Sequence, residues 1–234
     1  MARLLAERGH AAFCINTRGH DWISPSTIRP SPSSVTPLSG STYENFEDCL
    51  PDLDAALSCL SERGHRRFVL MGHSMGAAKC IYYQATRQRT DVAGIVTCSC
   101  PERSLASRPE GRSDFFDHLA RAQALLAEGR GEKLLWASPG RAFGLYTART
   151  FVSKYGREEI NNPLPHAARL DRPLLAIAGS REGPALADQA RRLAEAVGPG
   201  RGSSHVFDGA GHYYRSHEPA LADHIAAWLA HLAI

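Results

Sequence analysis

The sequence predicts an α/β fold: a mostly parallel sheet flanked by helices, with a helical cap insertion. Three observations predict it. Short continuous apolar runs at residues 11–16, 67–71, 92–97 and 173–178 alternate with stretches of helical periodicity. Runs apolar at every position suit strands covered on both faces, and strand–helix alternation builds parallel sheets. The alternation breaks between residues 102 and 170, so 1–101 and 171–234 are read as the core and 102–170 as a cap or insertion. The length of 234 residues, with 43% hydrophobic and 22% charged side chains, suits one domain with a substantial core.

The elements follow in order. Leu4, Leu5 and Ala6 before Gly9 read as the last turns of a helix with a glycine stop. Residues 11–16 are a strand, and Thr17-Arg18-Gly19-His20-Asp21 opens a loop. Residues 24–41 are rich in Pro and Ser and predict an irregular, exposed stretch. Ser41-Thr42-Tyr43-Glu44 reads as a capping box. The helix after it runs towards Glu62, with Pro51 predicting a kink or second start and Gly64 a stop. Residues 67–71 are a strand, 75–87 a helix, 92–97 a strand and 113–128 a helix. Trp136, Phe143, Tyr146, Phe151 and Tyr155 form an aromatic scatter, either lining an apolar pocket or packing under the cap. Residues 173–178 form a strand, 184–197 a helix, 205–207 a brief strand and 218–234 an amphipathic helix.

Composition excludes several functions. No stretch approaches the ~18 uninterrupted apolar residues of a membrane span. The net charge is +3, and only three of the 27 basic residues are lysines (Lys79, Lys133, Lys154), the rest being scattered arginines. Scatter without a stripe argues against nucleic-acid binding. The six cysteines form no C-x-x-C pair and no Cys/His cluster with ligand spacing, so reduced thiols and no metal are expected. The N-terminus lacks the apolar core of a signal peptide, which predicts a cytoplasmic location.

The strongest chemical signal is Gly72-His73-Ser74-Met75-Gly76, between a buried strand and a helix. A serine there sits on a tight turn with its hydroxyl exposed above the sheet edge. Both glycines are expected to answer backbone crowding. The helix N-terminus favours negative charge at an attacked carbonyl, with the Met75 N–H as an oxyanion donor. A serine needs a base. His212, in the flexible Gly209-Ala210-Gly211-His212-Tyr213 loop, is the candidate, whereas His205, His217, His224 and His231 read as surface or packing residues. The order Ser, acid, His asks for a carboxylate between them. Glu182, just after the strand at 173–178, is the first choice to fix the tautomer of His212, with Asp188 and Asp208 as alternatives. His73 occupies the variable slot of the turn and reads as a packing or polar-contact residue.

These motifs, with Asn16-Thr17-Arg18-Gly19-His20-Asp21 after an early strand, resemble the α/β-hydrolase superfamily, in its esterase and lysophospholipase-like members. The resemblance covers nearly the whole chain. It implies serine-nucleophile hydrolysis of a small-molecule carboxylic ester, thioester or amide through an acyl-enzyme on Ser74, without metal or organic cofactor. It also implies that Arg18 and Asp21 brace the site rather than perform chemistry.

The family places a strand and a His-Gly loop before the first helix, and that loop supplies a second oxyanion donor. Met1 falls inside that helix, so Met1 is expected to be an internal start with some tens of residues upstream. In the family the strand at 11–16 and the strand at 67–71 are separated by that element. Without it they must pair directly or leave a gap, at ~1–3 kcal/mol per unsatisfied buried group. A ligand-binding pseudoenzyme on the same fold is the alternative function. The substrate and the oligomeric state are not written in the sequence.

Overall fold

The computed structural model describes residues 1–25, 38–107, 113–138 and 143–232. In chain order its elements are α1 (Ala2–Ala6), β1 (Ser24–Pro25), β2 (Leu38–Ser39), α2 (Cys49–Glu62), β3 (Phe68–His73), α3 (Met75–Arg87), β4 (Val92–Cys98), α4 (Ser113–Ala127), β5 (Leu134–Ala137), β6 (Gly144–Thr147), α5 (Ala148–Tyr155), α6 (Pro163–Ala167), β7 (Leu174–Gly179), α7 (Pro184–Val197), β8 (Gly202–Phe207) and α8 (Glu218–Ala230). Short 3₁₀ turns precede α2 (Phe46–Asp48), lie at Leu105–Ser107 and follow β7 (Ser180–Glu182). Among the described residues no helix is long and apolar enough to cross a membrane.

The chain divides into two compact units: Met1–Ile15 with Leu57–Arg103 and Asn162–Ile234, and Asn16–Ala56 with Ser104–Asn161. The first carries a parallel four-stranded sheet in the order β3-β4-β7-β8. Val96, Cys98, Leu175 and Ile177 pack with Leu5 of α1 and with Leu221, Ala222, Ile225 and Leu229 of α8. Strand side chains alternate between faces, and the alternate set Ile95, Leu174 and Ala176 is equally buried, with α3 lying along β3 and β4 and α7 along β7 and β8. Two covered faces explain why these strands read as continuous apolar runs.

One predicted strand does not form. Residues 11–16 have no assigned secondary structure and are largely exposed, with Phe13 52% and Ile15 37% accessible. Among the described residues β3 pairs only with β4. An apolar run becomes a buried strand only where a neighbour completes its hydrogen-bond ladder, and among the described residues none pairs with this one. The segments at 11–16 and 68–73 therefore do not pair directly. The strand read at 205–207 is longer, Gly202–Phe207.

The second unit holds the β1–β2 ribbon, the start of α2, α4, the antiparallel β5–β6 pair and α5. Phe115, Leu119, Ala122 and Leu125 of α4 pack with Leu135, Ala137, Ala148, Phe151 and Tyr155. The aromatic scatter splits. Phe151 and Tyr155 are buried, with Tyr146 packed against them, whereas Trp136 and Phe143 stack at 6.2 Å and stay exposed.

This unit takes in residues 16–56, which the expected 102–170 insertion does not contain. Hydrogen bonds and an ion pair explain the grouping. Thr147 N–H donates to the Thr42 carbonyl at 3.0 Å. Lys154 Nζ lies 3.1 Å from Glu44 Oε2 and 3.0 Å from the Ser41 carbonyl. The capping box expected at Ser41–Glu44 is absent, because Glu44 faces that lysine. Its place is taken four residues later, where Asp48 accepts from the Asn45 N–H at 2.9 Å. Pro51 lies in the first turn of α2, where its missing N–H costs nothing. Most of 24–41 lies outside the described residues, but Ser24–Pro25 and Leu38–Ser39 pair as short strands.

Candidate active site

The site is built in the first unit at the C-terminal ends of β3, β4 and β7. β3 ends at His73 and α3 begins at Met75, with Ser74 between them at φ +53° and ψ −124°. That conformation is rare outside glycine. It is held by Ser74 N–H donating to the Cys98 carbonyl at 2.8 Å and by Ala77 N–H donating to the Ser74 carbonyl at 3.0 Å. Gly72 is required: a Cβ there would run into the Gly76 carbonyl and lie 2.5 Å from the Ala77 nitrogen. Gly76 is not required by crowding, since a Cβ there meets nothing within 4 Å. Crowding therefore explains one glycine of the motif and not both. Met75 N–H belongs to the first turn of α3, whose amides have no intrahelical acceptor.

The turn after β7 presents Glu182, whose side chain is only 4% exposed. Its Oε1 lies 2.6 Å from His212 Nδ1. Its Oε2 accepts from Ser99 Oγ at 2.6 Å and from the Gly179 N–H at 2.8 Å. Burial pushes this carboxyl up, but the donors from Ser99, Gly179 and His212 outweigh it and leave it below the ordinary value. A carboxylate facing Nδ1 makes that nitrogen the proton carrier and leaves Nε2 as the basic nitrogen.

The His212 loop is pinned to the end of β7. Arg181 N–H donates to the Ala210 carbonyl at 2.9 Å. Gly179 permits this approach, because a Cβ there would run into the same carbonyl. Asp208 instead accepts from Ser180 Oγ at 3.1 Å, and Asp188 pairs with Arg191 at 2.6 Å. Neither is the partner of His212.

His73 links the turn to the loop. Its Nε2 donates to the His212 carbonyl at 2.7 Å, and the two rings lie 4.7 Å apart. Partial burial is the main cause that lowers its pKa, against the opposing pull of the His212 carbonyl. Ser74 and the Glu182–His212 pair thus share one end of the sheet. Among the described residues Ser74 Oγ makes no hydrogen bond to the His212 ring.

Arg18 and Asp21 belong to the second unit. Arg18 grips Asp52 through its Nε at 2.9 Å and an Nη at 2.8 Å, with Asp48 at 3.7 Å. Asp21 is exposed and lies 3.0 Å from His20. Among the described residues no group of three or more His, Cys, Asp or Glu side chains could hold a metal ion.

Sequence reasoning missed Ser99 and Tyr214. Ser99 Oγ lies 2.9 Å from Tyr214 Oη, which also reaches the Ile177 carbonyl at 3.2 Å. The available signals were a polar residue just past β4, the strand beside the one that feeds Ser74, and a tyrosine two positions after His212.

Comparison with known proteins agrees with this architecture. The model of the alpha/beta hydrolase family matches residues 1–224. No curated protein matches the chain in sequence. Among solved structures, the chain is similar to a thermostable carboxyl esterase from Bacillus coagulans (TM-score 0.61, 14% identity, 82% of this chain and 73% of that one). It is also similar to a monoacylglycerol lipase from Paleococcus ferrophilus (0.56, 17%, 79% and 76%). A third likeness is to a thermophilic esterase from Thermogutta terrifontis (0.54, 18%, 93% and 78%). At these identities the likeness is one of fold.

Proposed function

Because this chain belongs to the alpha/beta hydrolase family, we propose that it is a serine hydrolase acting on a small carboxylic ester, thioester or amide. The observation that carries the reading is the 2.6 Å bond between Glu182 and His212, held beside the strained turn at Ser74 by His73. His212 Nε2 takes the Ser74 hydroxyl proton as the oxygen attacks the carbonyl carbon. The Met75 N–H and the N-terminus of α3 stabilise the resulting oxyanion. The imidazolium, neutralised by Glu182, then gives its proton to the departing alcohol, thiol or amine. A water, deprotonated by His212, releases the acid from Ser74. Catalytic hydrogen bonds are often loose until substrate arrives, so the open Ser74–His212 contact is compatible with this sequence of steps.

That open contact is also what a ligand-binding pseudoenzyme would display. Labelling with a fluorophosphonate probe separates the two. The hydrolase reading expects one label per chain on Ser74, lost in Ser74→Ala, together with turnover of p-nitrophenyl butyrate. A folded protein that takes no label and turns over no ester overturns it in favour of the binder.

A further inference from the structure

We propose that Ser99 is a positioning residue that orients and charges the Glu182 carboxylate, with Tyr214 holding Ser99 in place. The proposal rests on the triad reading above and extends it by one layer. Glu182 Oε2 is an acceptor only, so at 2.6 Å the Ser99 hydroxyl must be the donor. Ser99 has one hydroxyl proton and spends it there. The Tyr214 phenol, 2.9 Å away, therefore donates if it bonds to Ser99 Oγ, and its alternative acceptor is the Ile177 carbonyl. The same carbonyl receives the Ser99 N–H at 2.7 Å.

Oε2 thus has two donors, Ser99 and Gly179, and Oε1 is left to His212. This division matters because a carboxylate free to rotate would offer either oxygen, or neither, to the imidazole. Hydrogen bonds to a charged acceptor are the strong ones, and in a low-dielectric site they also keep the carboxyl ionised. The other titratable groups here do not compete for the role. Burial pushes the Cys98 thiol up to about 12 and raises the Tyr214 phenol, so both stay protonated at neutral pH.

Backbone geometry points the same way. Ser99 is fully buried yet sits at φ +53°, and Tyr214 shares that value. Of the seven non-glycine residues at positive φ among the described residues, three are Ser74, Ser99 and Tyr214. Such strain persists where surrounding structure over-determines it, and it concentrates at working sites.

The test is a double-mutant cycle on purified full chain, read by p-nitrophenyl butyrate hydrolysis and by the rate of fluorophosphonate labelling. Ser99→Ala is expected to lower kcat by about tenfold with little change in KM, from the loss of one charge-assisted hydrogen bond. Ser99→Gly, which also lacks the hydroxyl but fits the positive φ, gives the same loss and covers the case in which the alanine variant fails to fold. In a Glu182→Gln background either substitution adds less than about twofold, because the group it acts through is already gone. A tenfold loss that persists undiminished in that background means a general structural role and overturns the proposal. So does full activity in folded Ser99→Ala while Glu182→Gln is impaired, a result that leaves the triad reading intact. Full activity in Glu182→Gln itself sinks the triad reading and the proposal with it.

Discussion

Replacing Glu182 by glutamine should remove most activity without disturbing the fold, and the contacts show why. The new amide has one oxygen and one NH2 to place where two carboxylate oxygens stood. One position faces the Gly179 N–H at 2.8 Å and the Ser99 hydroxyl at 2.6 Å; the other faces His212 Nδ1 at 2.6 Å. Pointing the NH2 at the Gly179 N–H sets donor against donor, so the amide oxygen takes that side. The NH2 then faces Nδ1, which must become an acceptor, and the ring proton moves to Nε2, the nitrogen needed as the base. The analogous change in a serine protease costs ~10⁴ in kcat, so a loss of ~10³–10⁴ is expected here, or about 4–5.5 kcal/mol of transition-state stabilisation. The assay is steady-state hydrolysis of p-nitrophenyl butyrate, with circular dichroism to show that the fold survives. Stability supplies a second readout. The Glu182 carboxyl titrates below its ordinary value in the fold. The stability it contributes is therefore present above the unfolded value of ~4.3 and fades as pH falls through the lower folded value. The melting-temperature gap between wild type and Glu182→Gln should be widest near neutrality and should narrow as pH falls below the unfolded value of ~4.3. Retention of more than a tenth of wild-type kcat, or a larger loss in Asp208→Asn or Asp188→Asn, would rule out Glu182 as the partner that sets the His212 tautomer.

Two further predictions concern the scaffold. Gly72→Ala should cost ~1–3 kcal/mol or prevent folding, because its methyl meets backbone that cannot step aside, while Gly76→Ala should be neutral to ~1 kcal/mol stabilising; equal melting temperatures for the two would contradict the crowding argument. Lys154→Met should destabilise by ~3–5 kcal/mol, since Lys154 and Glu44 are 5% and 2% exposed and lie 3.1 Å apart. That is a fall of roughly 6–20 °C in Tm for a chain of this size. Adding Glu44→Met should restore much of the loss, and a double variant no better than the single would show that the ion pair is not the cause.

Much of the candidate site was legible because its motifs combine chemistry with a demanding backbone. Gly72-His73-Ser74-Met75-Gly76 announces a strand-to-helix turn, and the fold places Ser74 there with the left-handed φ such a turn needs. Glu182 and His212 could be proposed from chain order and from the place of Glu182 just after β7, with Asp188 in α7 and Asp208 after β8 left as alternatives; only the coordinates show Glu182 facing His212. The contribution of Ser99 is invisible in sequence for a plain reason. A serine past a strand is ordinary, and its meaning lies in a 2.6 Å approach to a residue 83 positions away. The segment at 11–16 shows the opposite error: strong local strand character with no partner among the described residues to realise it.

By itself the sequence determined the α/β class, most of the helices and strands of the parallel sheet, and the residue types able to run acyl transfer. These follow from periodicity, turn chemistry and side-chain functionality, all of which act over a few residues. Tertiary structure alone decided which carboxylate meets the imidazole, which apolar run finds a ladder, and that residues 38–56 join the unit built around α4 and α5. Those outcomes depend on hydrogen bonds and ion pairs between groups far apart in the chain. Their free energy exists only once both partners are buried in the same place.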